Sequence, residues 1–274
     1  MLLQFAAVLM NGGRMITRCR LCGAEELKLY YTQGDRDQYE YYRCPRCGLV
    51  NYDLSGGLDQ GKYAERYIDP RESDHRLNRL QTESYRFLKS NVPGPGRLLE
   101  VGCGNGRLLM LARENGWEVR GLELSPFLAE SVRQHLGIEV EVADFMSYQP
   151  EEEYDLVVLR HVLEHLPEPL AAMGKIRSLL RSEGNALLEF PNVEGWEPRF
   201  KHFLHRSGIR RMKYSPDYVP GHCNEFCRSS FALLVQKTGF ELQRWLTYSD
   251  RPILDLPCRL IGCGRKVRAL IRRT

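Results

Sequence analysis

Three features are missing from the sequence, and each absence argues against a class of protein. No apolar run approaches the roughly 18–20 residues that a membrane-spanning helix requires, so no such helix is predicted. The apolar segment 1–10 lacks a charged leading region and a convincing cleavage site, which argues against a signal peptide. Met15 stands shortly before the first cysteine pair, and we expect it to be the true start, with residues 1–14 an extension.

Acidic residues are absent from two segments of the chain. Residues 199–213 and 259–274 each carry six Lys/Arg and no acid, whereas the remainder carries 27 Lys/Arg against 35 Asp/Glu. Two basic surfaces on an acidic body indicate an anionic partner or substrate, although solvated basic faces have the same composition. The 274 residues suffice for one sizeable α/β domain and a small added module.

The nine cysteines are odd in number, and four of them form two C-x-x-C pairs, Cys19/Cys22 and Cys44/Cys47. This disfavours a secreted disulfide framework and favours a cytoplasmic, metal-binding protein. Each pair puts two thiolates on one tight turn followed by Gly, and two such turns converge on tetrahedral Zn²⁺. Alternating apolar residues between the pairs predict two strands. We therefore predict a zinc ribbon over residues 15–52 that acts as a structural staple, with four zinc ligands: Cys19, Cys22, Cys44 and Cys47.

The segment 53–92 is predicted to be a linker followed by an amphipathic helix over 73–91. From 97 to 190, short apolar strands then alternate with helices, a pattern typical of a parallel sheet covered on both faces. Ligands of such sheets bind beyond the carboxyl ends of the strands. The predicted strands are 97–101, 118–122, 138–142, 154–159 and 185–190, and the predicted helices are 106–115, 126–135 and 168–181.

The ends of the first three strands carry the strongest functional signal. Glu100 and the alternating Gly102, Gly104 and Gly106 join a strand to a helix, where bare backbone and free N–H groups can cradle a nucleotide-like ligand. Glu123, with Leu124 beside it, ends the second strand, where a carboxylate can accept both hydroxyls of a ribose. The third strand is followed by a carboxylate and an aromatic ring, suited to the amino group and the ring of adenine: Asp144 and Phe145.

Together these strand ends resemble the consecutive motifs of class I S-adenosylmethionine-dependent methyltransferases, over about residues 80–250. The run that covers the fourth strand and the turn beyond it, D-L-V-x-x-x-x-V-L-E-H-L-P-E-P, resembles the small-molecule branch of that family. The resemblance implies a doubly wound, Rossmann-like, seven-stranded α/β sheet over 93–250 with S-adenosylmethionine as cofactor. It implies that Glu100 and the three glycines surround the methionine moiety, Glu123 the ribose, and Asp144 with Phe145 the adenine.

The acceptor side is less determined. His161, at the mouth of the sheet, and His222, before the helix 229–238, are the candidate general bases, needed only if the acceptor carries a proton. The insertion 193–221 mixes aromatic with basic residues and is expected to form a lid that suits a phosphate, a carboxylate or a nucleotide-linked sugar. The basic tail 251–274 either docks onto the body, which we favour, or makes peripheral contact with an anionic membrane.

Three functions remain open at this stage. We favour O-, C- or N-methylation of a small molecule, such as a sugar, a quinone or another anionic metabolite. The fourth strand is followed by neither an Asp/Asn-Pro-Pro-aromatic run nor a Pro-Cys nucleophile, which disfavours nucleobase amines, amide nitrogens and the cytosine ring carbon as acceptors. The alternatives are an RNA methyltransferase that grips phosphates with the ribbon and basic segments, and a non-catalytic regulator that binds the cofactor.

Overall fold

The computed structural model describes residues 16–59, 67–72, 74–207, 209, 213–215 and 217–274. The expected start at Met15, part of the linker and part of the insertion lie outside these residues. The strands are β1 (Lys28–Gln33), β2 (Tyr39–Arg43), β3 (Val50–Tyr52), β4 (Arg97–Val101), β5 (Glu118–Glu123), β6 (Val140–Val142), β7 (Tyr154–Arg160), β8 (Leu180–Pro191), β9 (Asn224–Glu225), β10 (Phe240–Tyr248) and β11 (Lys266–Arg273). The helices are α1 (Arg76–Asn91), α2 (Arg107–Glu114), α3 (Pro126–Leu136), α4 (Pro169–Leu179), α5 (Trp196–Arg206), α6 (Arg228–Lys237) and α7 (Pro252–Ile261).

The larger sheet has seven strands in the order β10-β11-β8-β7-β4-β5-β6, which confirms the predicted fold class. Strands β8, β7, β4, β5 and β6 are mutually parallel, and β11 runs antiparallel to both of its neighbours. Helices α1, α2 and α3 pack on one face, and α4 and α6 pack on the other. The parallel order places the carboxyl ends of β4, β5 and β7 at one edge. No helix in the described residues is long and apolar enough to cross a membrane.

Local sequence signals set the boundaries of the elements beside that edge. Helix α3 begins where the Ser125 hydroxyl accepts a hydrogen bond from the Leu128 amide at 3.2 Å, with Pro126 at its first position. It ends at Gly137, whose left-handed conformation releases the chain toward β6. Strand β4 is almost wholly buried, as a strand with helices on both sides must be. The loops between them are therefore held at fixed positions above the sheet.

The cysteine-rich segment forms a sheet of its own that extends beyond the predicted ribbon. Its strand order is β1-β2-β3-β9, so a segment near residue 225 completes it. Val50 pairs with Glu225 and Asn51 with Asn224 across β3 and β9. Because β9 lies just after the insertion and before α6, the ribbon is hydrogen-bonded directly to the part of the chain that contains the large sheet. The predicted end of the ribbon at residue 52 is therefore a boundary in sequence only, because the small sheet includes β9 from the other part of the chain.

The segment 251–274, which we expected to dock onto the body as a basic tail, forms helix α7 and strand β11. Strand β11 lies between β8 and β10 inside the large sheet, and Val267, Ala269 and Ile271 are fully buried. All six basic residues of 259–274 lie within 4.0 Å of a carboxylate, so this segment is not a free anion-binding surface. Exposed apolar side chains occur only in its helix, α7, among the described residues of the segment: Ile253, Leu256, Leu260 and Ile261.

The insertion is more regular than its sequence indicates. Helix α5 occupies its first part, and Phe200 and Phe203 are exposed on it. Trp196 begins this helix, and its backbone N–H donates to the carbonyl of Cys263 at 3.0 Å. The helix is therefore anchored beside α7 and the end of β8. Arg210 and Arg211 of the basic run lie outside the described residues.

A buried chain of charges crosses the middle of the large sheet. Glu189 on β8 accepts hydrogen bonds from Arg268 Nε at 2.8 Å and Arg160 Nε at 3.1 Å, and Tyr248 donates to it at 3.2 Å. Burial alone would raise the pKa of Glu189, but the charges of Arg160 and Arg268 outweigh it and lower that pKa to about 2. The Arg268 guanidinium also stacks on the Tyr248 ring, 3.9 Å from its centroid.

We predict that Arg268→Met destabilises the fold by about 3 kcal/mol, because it leaves a buried carboxylate short of one cation. Urea unfolding at pH 7 measures this free energy. The matched control is Arg272→Met on the same strand, whose ion pairs with Glu183 and Glu241 are exposed and are worth about 1 kcal/mol or less. Equal losses in the two variants would contradict the role given to the buried pair.

The same pair predicts a dependence on pH. A carboxyl whose pKa falls from 4.5 when unfolded to about 2 when folded stabilises the protein fully above pH 4.5. This contribution is lost as the pH falls toward 2. The difference in unfolding free energy between wild type and Arg268→Met should therefore shrink over that window. A difference that stays constant between pH 5 and pH 3 would contradict the assignment.

Candidate active site

The glycine loop after β4 has the backbone that its sequence predicts. Gly102, Gly104 and Gly106 all have positive φ, between 56° and 76°, where a side chain is strained. A Cβ at Gly104 would meet no atom within 4 Å, so this residue borders open space. Gly102 borders the same space, whereas Gly106 packs against Val132 on α3. The loop therefore presents bare backbone to a cavity at its first two glycines, and its third glycine allows the helices to approach.

That cavity has a volume of about 440 Å³ and lies beyond the carboxyl ends of β4, β5 and β7. Glu123 lines it and is 5% exposed. Its carboxylate accepts the N–H of Gly104 at 2.9 Å and the N–H of Ser125 at 3.1 Å, which fixes it beneath the glycine loop. Five other residues predicted to contact the cofactor share the lining, and so does the predicted base His161: Gly102, Gly104, Leu124, Asp144 and Phe145.

Asp144 and Phe145 occupy opposite environments at one end of this cavity. Asp144 is exposed, and one of its oxygens accepts the N–H groups of Met146 and Ser147 at 2.9 and 3.1 Å. Phe145 is 4% exposed and belongs to the core below. With Leu124 and Leu128 in the same wall, the cavity offers an apolar slot with a carboxylate at its rim.

The structure does not bring Glu100 or Gly106 into the cavity lining. Glu100 is fully buried beneath the loop, with Arg160 Nη1 3.9 Å from its carboxylate. Burial raises the pKa of Glu100 to about 8, and Arg160 only partly opposes this. Arg160 itself lines the cavity, and Glu189 holds it from below. Direct contact between a cofactor and Glu100 is therefore a prediction that the geometry does not support, because Glu100 lies under the loop.

Three histidines surround one buried carboxylate beside the cavity. Glu164 is 1% exposed, and its carboxylate lies 3.1 Å from Nδ1 of His161. Burial would raise the pKa of Glu164, but the hydrogen bond with His161 and the charges of His222 and His165 lower it overall. His161 has a φ of 56°, an uncommon conformation for a residue with a side chain. The carboxylate therefore orients the imidazole of His161 at the end of β7.

His222 is reached from the same cluster. The rings of His165 and His222 meet edge to face with centroids 4.8 Å apart, and His165 Nδ1 donates to the carbonyl of Gly221 at 2.8 Å. Burial lowers the pKa of His222 below its ordinary 6.5, with Glu164 opposing. The ring is therefore neutral at pH 7 and able to accept a proton.

A second cavity, of about 990 Å³, begins on the other side of His222. Helix α5, the end of β8 and the ribbon strand β1 enclose it. Lys201 and Lys213 are exposed in its lining, and Glu197 separates Arg251 from Arg265 with contacts of 3.5 and 3.4 Å. Its aromatic lining residues are Tyr31, Trp196, Phe200, His202 and Tyr214.

The four predicted metal ligands converge. The sulfurs of Cys19 and Cys47 are 3.6 Å apart, those of Cys22 and Cys44 are 3.5 Å apart, and all four lie within 4.8 Å of one another. A tetrahedral Zn²⁺ with Zn–S bonds of about 2.3 Å needs sulfurs roughly 3.8 Å apart. The donor set and spacing thus fit zinc.

Three residues that sequence reasoning missed contribute to these sites. Arg160 lines the first cavity, Glu225 lines the second, and Arg20 contacts the segment next to His222. Arg160 precedes His161 at a strand end, which was a usable signal. The other two depend on contacts between segments that are distant in sequence, which no local pattern reveals.

Comparison with known proteins identifies the family. A family model described as a methyltransferase domain matches residues 72–244. The chain belongs to this methyltransferase family. It is 32% identical over 132 residues to a ubiquinone biosynthesis O-methyltransferase of Xanthomonas campestris pv. campestris (strain B100), covering 45% of this chain and 54% of that protein. A protein of the same name from Alkalilimnicola ehrlichii is 30% identical over 139 residues, covering 47% and 56%. The chain thus spans about half the length of these relatives.

Solved structures share the fold of the methyltransferase domain. A magnesium protoporphyrin IX methyltransferase from Synechocystis PCC 6803 with bound S-adenosylhomocysteine superposes with a TM-score of 0.53 at 17% identity, covering 77% of this chain and 90% of that chain. A protein from Pyrococcus horikoshii OT3 gives 0.56 at 16% identity, covering 76% and 95%. These likenesses support the fold that the sequence predicts.

We predict that Glu123→Ala weakens the binding of S-adenosylhomocysteine by roughly 10- to 100-fold, because it removes a charged acceptor that the glycine loop holds in place. Calorimetry measures the affinity, and circular dichroism checks the fold. The matched control is Glu118→Ala at the exposed start of the same strand. An unchanged affinity in Glu123→Ala would refute the ribose assignment.

Proposed function

We propose that the protein is an S-adenosylmethionine-dependent methyltransferase that acts on a small-molecule acceptor. The observation that carries this proposal is the meeting of two cavities at one short segment, in which Gly221 lines the first cavity and His222 lines the second. The first has the glycine loop and carboxylates suited to the cofactor. The second is large enough for an acceptor and opens beside it.

The protein's part in the reaction is mainly alignment. Bound S-adenosylmethionine supplies an activated methyl group, and its transfer leaves a neutral thioether. Two cavities that share a boundary hold donor and acceptor for in-line attack, which contributes much of the rate. His222 accepts the acceptor's proton as the new bond to the methyl carbon forms. His161, hydrogen-bonded to Glu164, keeps that carboxylate charged beside His222 and is the alternative base.

The lining of the second cavity favours an anionic acceptor with a flat or ring-shaped body. Lys201 and Lys213 are exposed there, and Trp196 and Phe200 offer ring faces beside them. The names of the relatives support transfer to oxygen. An acceptor with an acidic hydroxyl and a carboxylate or phosphate fits both observations.

We further propose that Cys19, Cys22, Cys44 and Cys47 hold one Zn²⁺ and that the protein is cytoplasmic. All nine cysteines lie in the described residues, and none of them forms a disulfide there, which suits a reducing compartment. We expect about one zinc per purified chain by atomic emission, with Cys44→Ser reducing it to near zero and Cys263→Ser leaving it unchanged. Equal zinc content in the two variants would contradict the site.

Methyl transfer itself is tested with radiolabelled S-adenosylmethionine and two acceptor pools, small metabolites and total RNA. We expect label in the small-molecule pool. Label in RNA alone, with binding that weakens steeply as salt rises, would replace this proposal with the RNA methyltransferase. Saturable cofactor binding without transfer to either pool would replace it with the regulatory protein.

We predict that His222→Gln lowers methyl transfer to a protic acceptor roughly 100-fold or more while the affinity for S-adenosylhomocysteine is kept. Because burial lowers the pKa of His222, the wild-type rate should fall on the acid side with a midpoint below pH 6.5. The control is His75→Asn, an exposed residue whose capping role Asn preserves. A larger loss in His161→Gln than in His222→Gln would make His161 the base.

A further inference from the structure

The ribbon forms one wall of the second cavity. Tyr31 and Gln33 of β1 line it together with residues of the methyltransferase domain. Glu225, which is on β9, lies beside Tyr31 in this lining. Burial raises the pKa of Glu225 to about 7, with Tyr31 opposing. A polar pair that spans the two parts of the chain therefore faces the cavity.

The first cysteine turn reaches the segment that carries His222. Arg20 lies between Cys19 and Cys22, and its guanidinium donates to the carbonyl of Cys223 at 2.9 Å and to that of Tyr52 at 2.6 Å. The carbonyl of Cys223 also accepts the backbone N–H of Tyr52 at 3.1 Å. Both donors belong to the ribbon, so the peptide bond after Cys223 is held from that side.

The other side of the same segment is held by the methyltransferase domain. The N–H of Cys223 donates to the carbonyl of Glu164 at 2.9 Å, and His165 holds the carbonyl of Gly221. From the ribbon side, the hydroxyl of Tyr41 on β2 donates to the carbonyl of His222 at 3.4 Å. The His222 backbone is thus clamped between the ribbon and the turn after β7.

The charged or titratable groups near the His222 ring lie on two sides. Glu164, His165 and His161 lie on the turn after β7, and Glu225 and Lys201 line the second cavity.

We propose that the ribbon is a positioning part of the acceptor site rather than only a staple. Its cysteine turn sets the direction of Arg20, and Arg20 fixes His222 at the boundary between the two cavities while β1 supplies the opposite wall. This inference rests on the proposed function, because it takes the second cavity as the binding site of the methyl acceptor. The clamp on His222 requires no methyl acceptor and is measured without one.

The test uses the full zinc-loaded chain with Arg20→Met and, as a matched control, Arg18→Met. Arg18 lies in the same ribbon, but its side chain is 69% exposed and pairs only with Glu25 among the described residues. Histidine-ring NMR follows the titration of His222, whose signal is assigned by its loss in His222→Gln. Zinc content and affinity for S-adenosylhomocysteine are measured on the same samples.

For Arg20→Met we expect the zinc content to be unchanged and the affinity for S-adenosylhomocysteine to stay within about twofold of wild type. The midpoint of His222 should rise toward 6.5, because the released ring gains water. Arg18→Met should match wild type in all three. Arg20→Lys, which can reach one carbonyl rather than two, should restore part of the shift.

A His222 titration in Arg20→Met that superimposes on wild type would overturn the inference. Complete loss of affinity for S-adenosylhomocysteine in Arg20→Met would also overturn it, because the substitution would then disrupt the whole fold rather than the position of His222. If Arg20→Met does not fold, Arg20→Lys decides alone, and an unshifted midpoint overturns the inference. The His222 titration, the zinc content and the affinity for S-adenosylhomocysteine can all be measured without methyl transfer. Failure of the proposed function can therefore be distinguished from failure of this inference.

Discussion

The pairing of β3 with β9 is the interaction on which the rest of the molecule depends. Two residues from the cysteine-rich segment, Val50 and Asn51, hydrogen-bond a segment more than 170 positions later. Without this pairing the ribbon would be an appended module and the second cavity would lack a wall. With it, the peptide that carries His222 is fixed between two sheets. The short ladder between β3 and β9 thus helps to set the geometry of the proposed acceptor site.

The carboxyl edge of the large sheet supplies the other half of the geometry. Parallel strands bring the ends of β4, β5 and β7 together, so a glycine loop, a carboxylate and a histidine meet although they are distant in sequence. Below this edge, Glu189 joins Arg160 and Arg268 in the low-dielectric interior, where unpaired charge is costly. The buried chain holds Arg160 at the cavity floor. The backbone N–H of His161 also donates to the Glu189 carbonyl at 2.7 Å, so β8 supports the site directly.

Local pattern predicts much of this fold. The glycine loop, the cysteine turns, strands β1 and β2 and strands β4 to β8 were predictable, because each is encoded by neighbouring residues whose chemistry admits few conformations. Strand β11 was not, since its arginines read as a solvated face until Glu189 is placed opposite Arg268. The same limit applies to Arg20, whose partner is 203 positions away. Glu100 shows a limit of another kind: its position beside the loop predicts a ligand contact, whereas the structure places its side chain beneath the loop, which its neighbours in sequence do not reveal.

The most direct measurement is a crystal structure of the chain with S-adenosylhomocysteine bound. We expect the nucleoside to lie between Glu123 and Phe145, the amino-acid end to lie against the backbone of Gly102 and Gly104, and the sulfur to face the boundary formed by His165 and His222. A cofactor bound elsewhere, or one whose sulfur is walled off from the second cavity, would contradict the claim that donor and acceptor meet at His222.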